Sequence, residues 1–445
     1  MELKAHGYVV GSNSEWLDDL PAVGEELDNL IKRARRHIEP WLSAVFQAEH
    51  LNLLLGSGFS VALATLADVE GAGMDYEDIG TTKLDARIRA HATKTAALMG
   101  RGKPNIEDQI RSTLVLVEAL DLAGREDRAS EVKTALDARL KAFLNAILKA
   151  EENIAGADDE HWKDAVSVLQ SFLLSFASRS SSRERLHVFT TNYDRLIEYG
   201  CDLAGLRTID RFVGALEPVF RSSRLDVDYH YNPPGIRGEP RFMEGVLRLS
   251  KLHGSLDWHL DPRTRRIVRR GISFGAGPDH PAVPDNPVDT VMIYPNASKD
   301  VETSAYPYAE LFRDFAAALC RPNAALVVYG YGFGDDHINR VLADMLTLPS
   351  THLVVLVYEV DDRAERFLAQ VARPAQISLL VGPHFSDLRQ IVEHYLPKPA
   401  IDQVTARVAE LLKNRAPIRQ AEAAAGDEAP IDAVVQPEAD NGAGL

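Results

Sequence analysis

The later part of the sequence alternates short apolar segments with amphipathic ones, and this alternation constrains the fold more than any other feature. The apolar segments have the length of strands, and helical periodicity lies between the last four of them. The predicted strands are residues 51–55, 186–191, 290–294, 325–330, 353–358 and 377–381. The pattern predicts an α/β fold with a Rossmann-like, doubly wound parallel sheet. Ligands of such sheets bind at the carboxyl ends of the strands.

A long helical stretch interrupts this α/β pattern after its first strand. Apolar residues recur there at helical spacing in successive stripes, which predicts helices that cover one another as an inserted subdomain. The first block also carries a helical stripe, which is either an oligomerisation arm or simply a packed helix. The predicted division is a helical arm at 1–46, a Rossmann-like domain at 47–69 and 186–398, an inserted helical subdomain at 70–185, and a last helix with a disordered tail at 399–445.

The region 206–289 is rich in proline, glycine and arginine, and it predicts a small β-rich module or long loops beside the site. Its arginine cluster at 263–270 indicates either a solvated hairpin with a basic edge or a local site for an anion or an acidic partner. The net charge of −16 argues against direct nucleic-acid binding, because phosphate binding requires a basic field.

Cysteine usage and hydropathy narrow the class of protein further. Cys201 and Cys320 cannot form a disulfide scaffold or a four-cysteine zinc site, and they indicate a reducing compartment. No apolar run is long enough to span a membrane, and residues 1–20 lack the pattern of a signal peptide. We therefore expect a cytoplasmic protein without a membrane segment.

A glycine-rich turn follows the first predicted strand and opens the next helical segment. Glycines let backbone N–H groups approach a phosphate closely, and a helix N-terminus adds a positive dipole end. The turn makes candidate phosphate ligands of Gly56, Ser57, Gly58 and Ser60. In isolation, a tight turn without a ligand explains the same pattern better.

Two polar segments follow later. Thr190, Thr191, Asn192 and Asp194 lie at the carboxyl end of the strand at 186–191, where they build either a site or only the cap of the next helix. His253 lies in the polar segment 251–258, and its imidazole suits general-base chemistry. Asp257 and His259 lie nearby, but the spacing offers no third ligand, so we expect no metal site.

The strand at 325–330 leads into a second glycine-rich turn. Gly330, Gly332 and Gly334 occupy alternate positions before a helix, which is a second place where backbone can touch a nucleotide. Asp335 belongs to this turn, and Asp336 is a candidate helix N-cap. Glu359 follows the strand at 353–358, where it is either a ligand of the adenosine ribose or an exposed loop acid.

The order of these four motifs resembles the sirtuin family. Sirtuins carry a Gly-Ala-Gly-x-Ser turn, a Thr-Gln-Asn-Ile-Asp segment, a Leu-His-Gly segment and a late glycine-rich turn, in that order. The sequences Thr-Thr-Asn-Tyr-Asp at 190–194, Leu-His-Gly-Ser at 252–255 and Gly-Tyr-Gly-Phe-Gly-Asp-Asp-His-Ile at 330–338 look closest to a divergent bacterial branch. The resemblance covers the α/β parts, about half of the chain.

The resemblance implies a role for each motif. The first turn would hold the phosphates of NAD, Asn192 would contact the nicotinamide-side ribose or a nearby water, and His253 would act on the ribose hydroxyl or the nucleophile. Asp194 would hold the carboxamide, while Gly332 and Asp335 would lie near the adenosine half. Asn192 and His253 are thus the expected catalytic residues, and NAD is the expected substrate.

One departure from the family bears on the activity. Protein-deacylating sirtuins carry a zinc module with two Cys-x-x-Cys pairs, and this sequence has none. We therefore expect no zinc, and water as the acceptor of ADP-ribose. The resemblance implies an NAD glycohydrolase that depletes NAD in anti-phage defence, as a homo-oligomer beside a HerA-type ATPase or an Argonaute. The alternatives are a protein ADP-ribosyltransferase or deacylase, and a non-catalytic sensor of NAD or ADP-ribose.

Overall fold

The computed structural model describes residues 4–73, 75–81, 84–98, 103–180, 182–222, 227–231, 241–261, 263–283, 290–292 and 306–398. Within these residues the chain is a mixed α/β structure around one large, mostly parallel sheet. The strands of that sheet are β1 (His6–Val10), β2 (Asn13–Leu17), β3 (His50–Leu55), β4 (His187–Thr190), β5 (Arg207–Ile209), β10 (Val246–Lys251), β14 (Ala324–Tyr329), β15 (His352–Val357) and β16 (Ile377–Val381).

The strand order confirms the predicted Rossmann-like sheet. From one edge to the other it is β2-β1-β16-β15-β14-β3-β4-β10-β5, and every pair from β16 to β5 is parallel. The six strands β3, β4, β10, β14, β15 and β16 occur in chain order, yet β14 lies beside β3. The sheet thus grows outwards from β3 in both directions, and this reversal creates the crevice in which doubly wound sheets bind ligands.

The region 206–289 forms a smaller antiparallel sheet, with two exceptions that sequence analysis did not predict. The strands β5 and β10 belong to this region of the sequence, but they pair within the parallel sheet. The prediction of 290–294 as a strand of the parallel sheet is wrong: Thr290–Met292 (β13) pairs with Gly254–Asp261 (β11) instead, and residues 293–294 lie outside the described part. The smaller sheet has the order β13-β11-β12-β7-β6, with β6 (Phe212–Val213), β7 (Val219–Phe220), β11 (Gly254–Asp261) and β12 (Arg266–Arg269). A separate pair joins β8 (His230–Tyr231) to β9 (Arg241–Phe242).

The arginine cluster at 263–270 lies on the hairpin of β11 and β12. A hairpin is what the first of its two interpretations, a hairpin with a basic edge, predicts. Arg269 forms an ion pair with Asp210, and its guanidinium lies 4.4 Å from the ring centre of Phe212. This arginine therefore stabilises the smaller sheet.

The N-terminal segment is more than the helical arm that sequence analysis predicted. The hairpin of β1 and β2 pairs antiparallel with β16 and extends the sheet. Helix α1 (Glu25–Phe46) then buries Leu30, Ala34, Ile38 and Leu42, whose spacing of four residues places them on one face of the helix. This face packs into the core beside β3, so the described part supports a packed helix.

The remaining helices cover the two faces of the sheet and build the insertion. Their bounds are α2 (Ser57–Leu66), α3 (Asp85–Leu98), α4 (Ile106–Leu122), α5 (Glu126–Ala155), α6 (Asp159–Ala177), α7 (Leu196–Ala204), α8 (Tyr308–Leu319), α9 (Asp336–Met345), α10 (Asp362–Val371) and α11 (Leu388–Gln390). A π-helical turn at Ile391–Tyr395 follows α11. None of the helices described is both long and apolar enough to cross a membrane.

The insertion does not stand apart from the sheet. Phe172 and Phe176 of α6 pack against Phe59 of α2, Phe46 of α1 and Tyr329 of β14. The helices α3, α4 and α5 pack on one another and continue towards the carboxyl edge of the sheet. The predicted last helix and tail, at 399–445, lie outside the described residues.

Candidate functional site

The four motifs identified in the sequence converge on one cleft. They follow β14, β3, β4 and β10, which are neighbours in the sheet and whose carboxyl ends share one edge. The cleft has a volume of about 280 Å³. Its lining includes side chains or backbone from every motif: Ser57, Ser60, Thr191, Asn192, Asp194, His253, Gly332, Gly334 and Asp335.

The first glycine turn is held tightly against the second one. A Cβ atom on Gly56 would lie 2.4 Å from the Gly330 carbonyl oxygen, and one on Gly58 would lie 2.7 Å from the Gly330 Cα. Gly330 itself has a φ of 64°, in the left-handed region that favours glycine. These residues are glycines because two backbones meet there.

This contact changes the role that sequence analysis gave to the glycine N–H groups. The N–H of Gly56 donates to Tyr329 and that of Gly58 donates to Gly330, each at 3.0 Å. Those two donors therefore serve the fold, and the residues of this turn whose side chains line the cleft are Ser57 and Ser60, at the N-terminus of α2.

Asn192 is held in one orientation by its amide nitrogen. The Nδ2 group donates to the Gly56 carbonyl oxygen at 2.8 Å and to the Ser60 hydroxyl at 2.9 Å. A carbonyl oxygen can only accept, so this contact fixes which end of the amide is nitrogen. Because both amide hydrogens are used, the Asn192 oxygen is the atom that can accept a hydrogen bond from a water or a ribose hydroxyl.

Asp194 belongs to the same network and also serves the next helix. Its carboxylate accepts a hydrogen bond of 2.5 Å from the Ser60 hydroxyl and one of 3.2 Å from the N–H of Leu196, where α7 begins. Lys251 donates to the Asp194 backbone carbonyl and pairs with Glu198. The Asp194 carboxylate thus lines the cleft and also accepts from the first backbone N–H of α7, whose N-cap residue is Arg195.

His253 lies in a buried cluster at the junction of β10 and β11. Its Nε2 atom lies 3.4 Å from the Nε2 atom of His337, which belongs to the first turn of α9. Asp335 precedes that helix at its N-cap position, whereas Asp336, the N-cap candidate, is its first residue. His253, Asp335 and His337 each offer a ligand atom within 4.8 Å of the others, a grouping that could hold a metal ion. Asp257 and His259, weighed as ligands from the sequence, are not part of it.

The insertion supplies the wall of the cleft that sequence analysis missed. Residues of α5 and the residue before α4 contribute Asn105, Phe143, Ile147, Ala150, Glu151 and Ile154. The apolar members of this set gave only the helical stripe expected of a packed core, so no signal in the sequence distinguished them.

A buried ion pair joins that wall to the Asn192 segment. Glu151 accepts hydrogen bonds from the Arg195 backbone N–H at 2.6 Å and from its guanidinium at 2.5 Å. Arg195 also donates to the carbonyl groups of Ile272 and Ser273. Burial raises the pKa of Glu151 to about 7, although the hydrogen bonds from Arg195 act in the opposite direction.

Arg363 is a second cleft residue that sequence analysis missed, and Glu359 does not reach the cleft. Arg363 extends from the start of α10, beside Gly332 and Gly334, where a Cβ would lie 3.2 and 3.0 Å from its guanidinium nitrogens. These glycines leave room for the guanidinium. Glu359 is an exposed residue of the loop after β15, which agrees with the alternative of a loop acid.

The fold defines a Rossmann-like protein, and its cleft lies at the switch point of the sheet. Residues 186–372 match the family model of the SIR2-like domain. The match supports a sirtuin-like protein, and this family uses NAD as substrate or cosubstrate. It spans β4 to α10 and includes Asn192, His253 and the second glycine turn. No match is found among curated proteins.

Proposed function

We propose that this chain is an NAD glycohydrolase that releases nicotinamide and ADP-ribose. The observation that carries the proposal is that Asn192 and His253 line the same cleft as the two serines of the first turn. The SIR2-like match supports the use of NAD. Hydrolysis, as opposed to protein deacylation, is supported by a sequence without any Cys-x-x-Cys pair that would frame an acyl-peptide cleft.

The reaction breaks the bond between the ribose C1′ atom and the pyridinium nitrogen. Nicotinamide leaves as a neutral molecule, and the sugar passes through an oxocarbenium-like transition state. The oxygen of one water forms the new bond to C1′, and the remaining proton is released. The Asn192 oxygen orients this water or the ribose, and the His253 imidazole accepts a proton from one of them.

The phosphates of NAD are assigned to the side of the cleft formed by the two turns. The hydroxyl of Ser57 and the guanidinium of Arg363, which also pairs with Asp361, are the donors there. Ser60 lines the same side, with its hydroxyl hydrogen directed to Asp194. A guanidinium is suited to a pyrophosphate because it donates two parallel hydrogen bonds. Gly332 and Gly334 leave space for this contact.

We also propose that the activity is gated by assembly or by a partner, since a constantly active hydrolase would drain the NAD of its own cell. Helix α5 and Asn105, the residue before α4, form one wall of the cleft, so a partner that moves the insertion would change the site. A homo-oligomer beside a HerA-type ATPase or an Argonaute, acting in anti-phage defence, is the assembly that the sequence resemblance implies.

Product analysis tests the proposed reaction. Purified protein, alone and with a candidate partner, is incubated with NAD, and nicotinamide, free ADP-ribose and protein-bound ADP-ribose are quantified. Free ADP-ribose equal to nicotinamide is the expected result. ADP-ribose attached to protein would favour the transferase, and NAD binding without nicotinamide release under every condition would favour the sensor.

The matched control for this assay is an asparagine outside the cleft. Asn192→Ala removes the oriented amide, whereas Asn13→Ala removes an exposed amide on β2. Only the first substitution should abolish nicotinamide release.

A further inference from the structure

Three side chains are arranged as metal ligands, and two of them, His253 and Asp335, line the cleft. His253 comes from the turn after β10, whereas Asp335 and His337 come from the start of α9. The two imidazoles are buried and Asp335 is half-buried. The ring of Phe312 packs edge-on against His337 with a centroid distance of 4.8 Å, so this imidazole is held in place from behind.

The spacing of the two imidazoles fits a shared ion. A metal such as zinc binds imidazole nitrogen at about 2.0–2.1 Å in tetrahedral geometry, which separates two ligand nitrogens by about 3.3–3.4 Å. The Nε2 atoms of His253 and His337 lie 3.4 Å apart. All three ligand atoms, including a carboxylate oxygen of Asp335, lie within 4.8 Å of one another, a grouping that one ion can bridge.

We propose that His253, Asp335 and His337 bind one divalent transition metal of the zinc class, with the fourth position open to the cleft. Two imidazoles and one carboxylate are donors that this class of ion prefers. The N-terminus of α9 carries a positive dipole end that opposes a cation. The Asp335 carboxylate offsets that field, which makes its negative charge essential to the site.

The consequence for the reaction rests on the proposed function. A dication bound to His253 takes up a lone pair of the imidazole and places positive charge beside the cleft. The transition state of nicotinamide release is itself positively charged at the sugar, so a neighbouring dication raises its energy. The metal therefore inhibits hydrolysis, and its removal restores the activity.

Cobalt binding tests the site without reference to NAD. The full-length protein, free of any affinity tag, is stripped with a chelator and titrated with Co²⁺, whose visible absorption reports tetrahedral coordination by protein ligands. We expect one equivalent to saturate the band and Zn²⁺ to displace it. His337→Gln and Asp335→Asn should weaken binding by at least about tenfold, because each removes a direct ligand. Melting curves of the apo-proteins establish that both variants fold.

The control variant is His161→Gln. His161 is an exposed imidazole on α6 that also pairs with a carboxylate, Asp158, so it tests whether any histidine–carboxylate pair gives the signal. This variant should bind Co²⁺ as the wild type does. A wild type without a saturable band, or folded Asp335→Asn and His337→Gln variants with an unchanged band, would overturn the site.

The inhibitory effect has its own readout. We expect equimolar Zn²⁺ to lower nicotinamide release and excess chelator to restore it, whereas metal that binds the three residues without affecting release would overturn the inhibitory role. If the protein hydrolyses no NAD at all, the proposed function fails but the Co²⁺ titration still decides the metal site.

Discussion

Three positions at the cleft require glycine, because a side chain there would collide with the opposite backbone. Gly56, Gly58 and Gly330 allow the loops after β3 and β14 to touch, and that contact in turn positions the Gly56 carbonyl oxygen that accepts from Asn192. The glycines thus act on the chemistry indirectly, through the orientation of an amide.

Gly56→Ala tests this close contact. The added methyl group would lie 2.4 Å from the Gly330 carbonyl oxygen, so the two loops must separate. We expect a loss of about 1–3 kcal/mol in the free energy of unfolding, the range for overpacking, measured by urea denaturation. Gly271→Ala is the control, because its Cβ would meet nothing within 4 Å. Equal stabilities for the two variants would contradict the account of the turn.

Arg363→Ala tests the assignment of the phosphates. Loss of a charge-assisted hydrogen bond costs about 1.5–3 kcal/mol, so we expect the KM for NAD to rise by roughly 10- to 100-fold with kcat little changed. Arg363→Lys should recover part of the affinity because it keeps the charge but not the planar fork. Steady-state kinetics decide the matter, and an unaltered KM would place the phosphates elsewhere.

At the scale of elements, the site depends on a helix that the sequence presents as ordinary. The stripe of α5 has the spacing of a packed core, and most of it is core. The same helix brings Phe143, Ile147 and Glu151 to the cleft that the polar motifs also line. Helical periodicity in the sequence predicts which face of a helix is buried. It does not predict which other element covers that face.

Glu151→Ala tests the link between α5 and the Asn192 segment. The substitution leaves the Arg195 guanidinium buried without its partner, and such a loss costs about 3–5 kcal/mol in the free energy of unfolding. Glu152→Ala is the matched control, since the neighbouring carboxylate pairs with Lys149 at the surface and should contribute about 1 kcal/mol or less. If denaturation curves show the same small loss in the free energy of unfolding for both variants, the buried pair does not join the two elements.

At the scale of the whole molecule, the sequence predicted the sheet and the convergence of the motifs. Apolar runs marked β3, β4, β14, β15 and β16, and three of the four motifs followed one of these strands, so the rule for parallel sheets placed those three at one edge. The strand before His253, β10, was not predicted, and only the family resemblance joined that motif to the others. The sequence could not give the partners of β5 and β13, since short strands carry no mark of the sheet that they join. Nor could it place Asp335 and His337 beside His253, because that contact depends on the neighbouring positions of β14, β3, β4 and β10.

The stability of the whole chain should fall in mild acid. Burial lowers the pKa of His352 from 6.5 to about 4, so the native state keeps this imidazole neutral where the unfolded chain is protonated. The contribution of His352 to the free energy of unfolding is therefore fully present above pH 6.5 and is lost as the pH falls towards 4. This loss amounts to about 3 kcal/mol. Urea denaturation at pH 7 and pH 4.5 measures the effect.

His352→Asn should reduce that dependence on pH. His161→Asn should not reduce it, because the hydrogen bond with Asp158 raises the pKa of His161 and this imidazole therefore gives no loss of stability in acid. His187, buried with a pKa also well below 6.5, keeps part of the dependence in every variant. An unchanged pH slope in His352→Asn would refute the assignment.

The most direct test of the central claim compares nicotinamide release by Asn192→Ala, His253→Ala and the double variant with that of the wild type, under the condition that activates it. If the amide and the imidazole act on one ribose, each single substitution lowers the rate by about 100-fold or more and the double substitution adds little. Single variants that release nicotinamide at the wild-type rate, or losses that multiply in the double variant, would contradict the account.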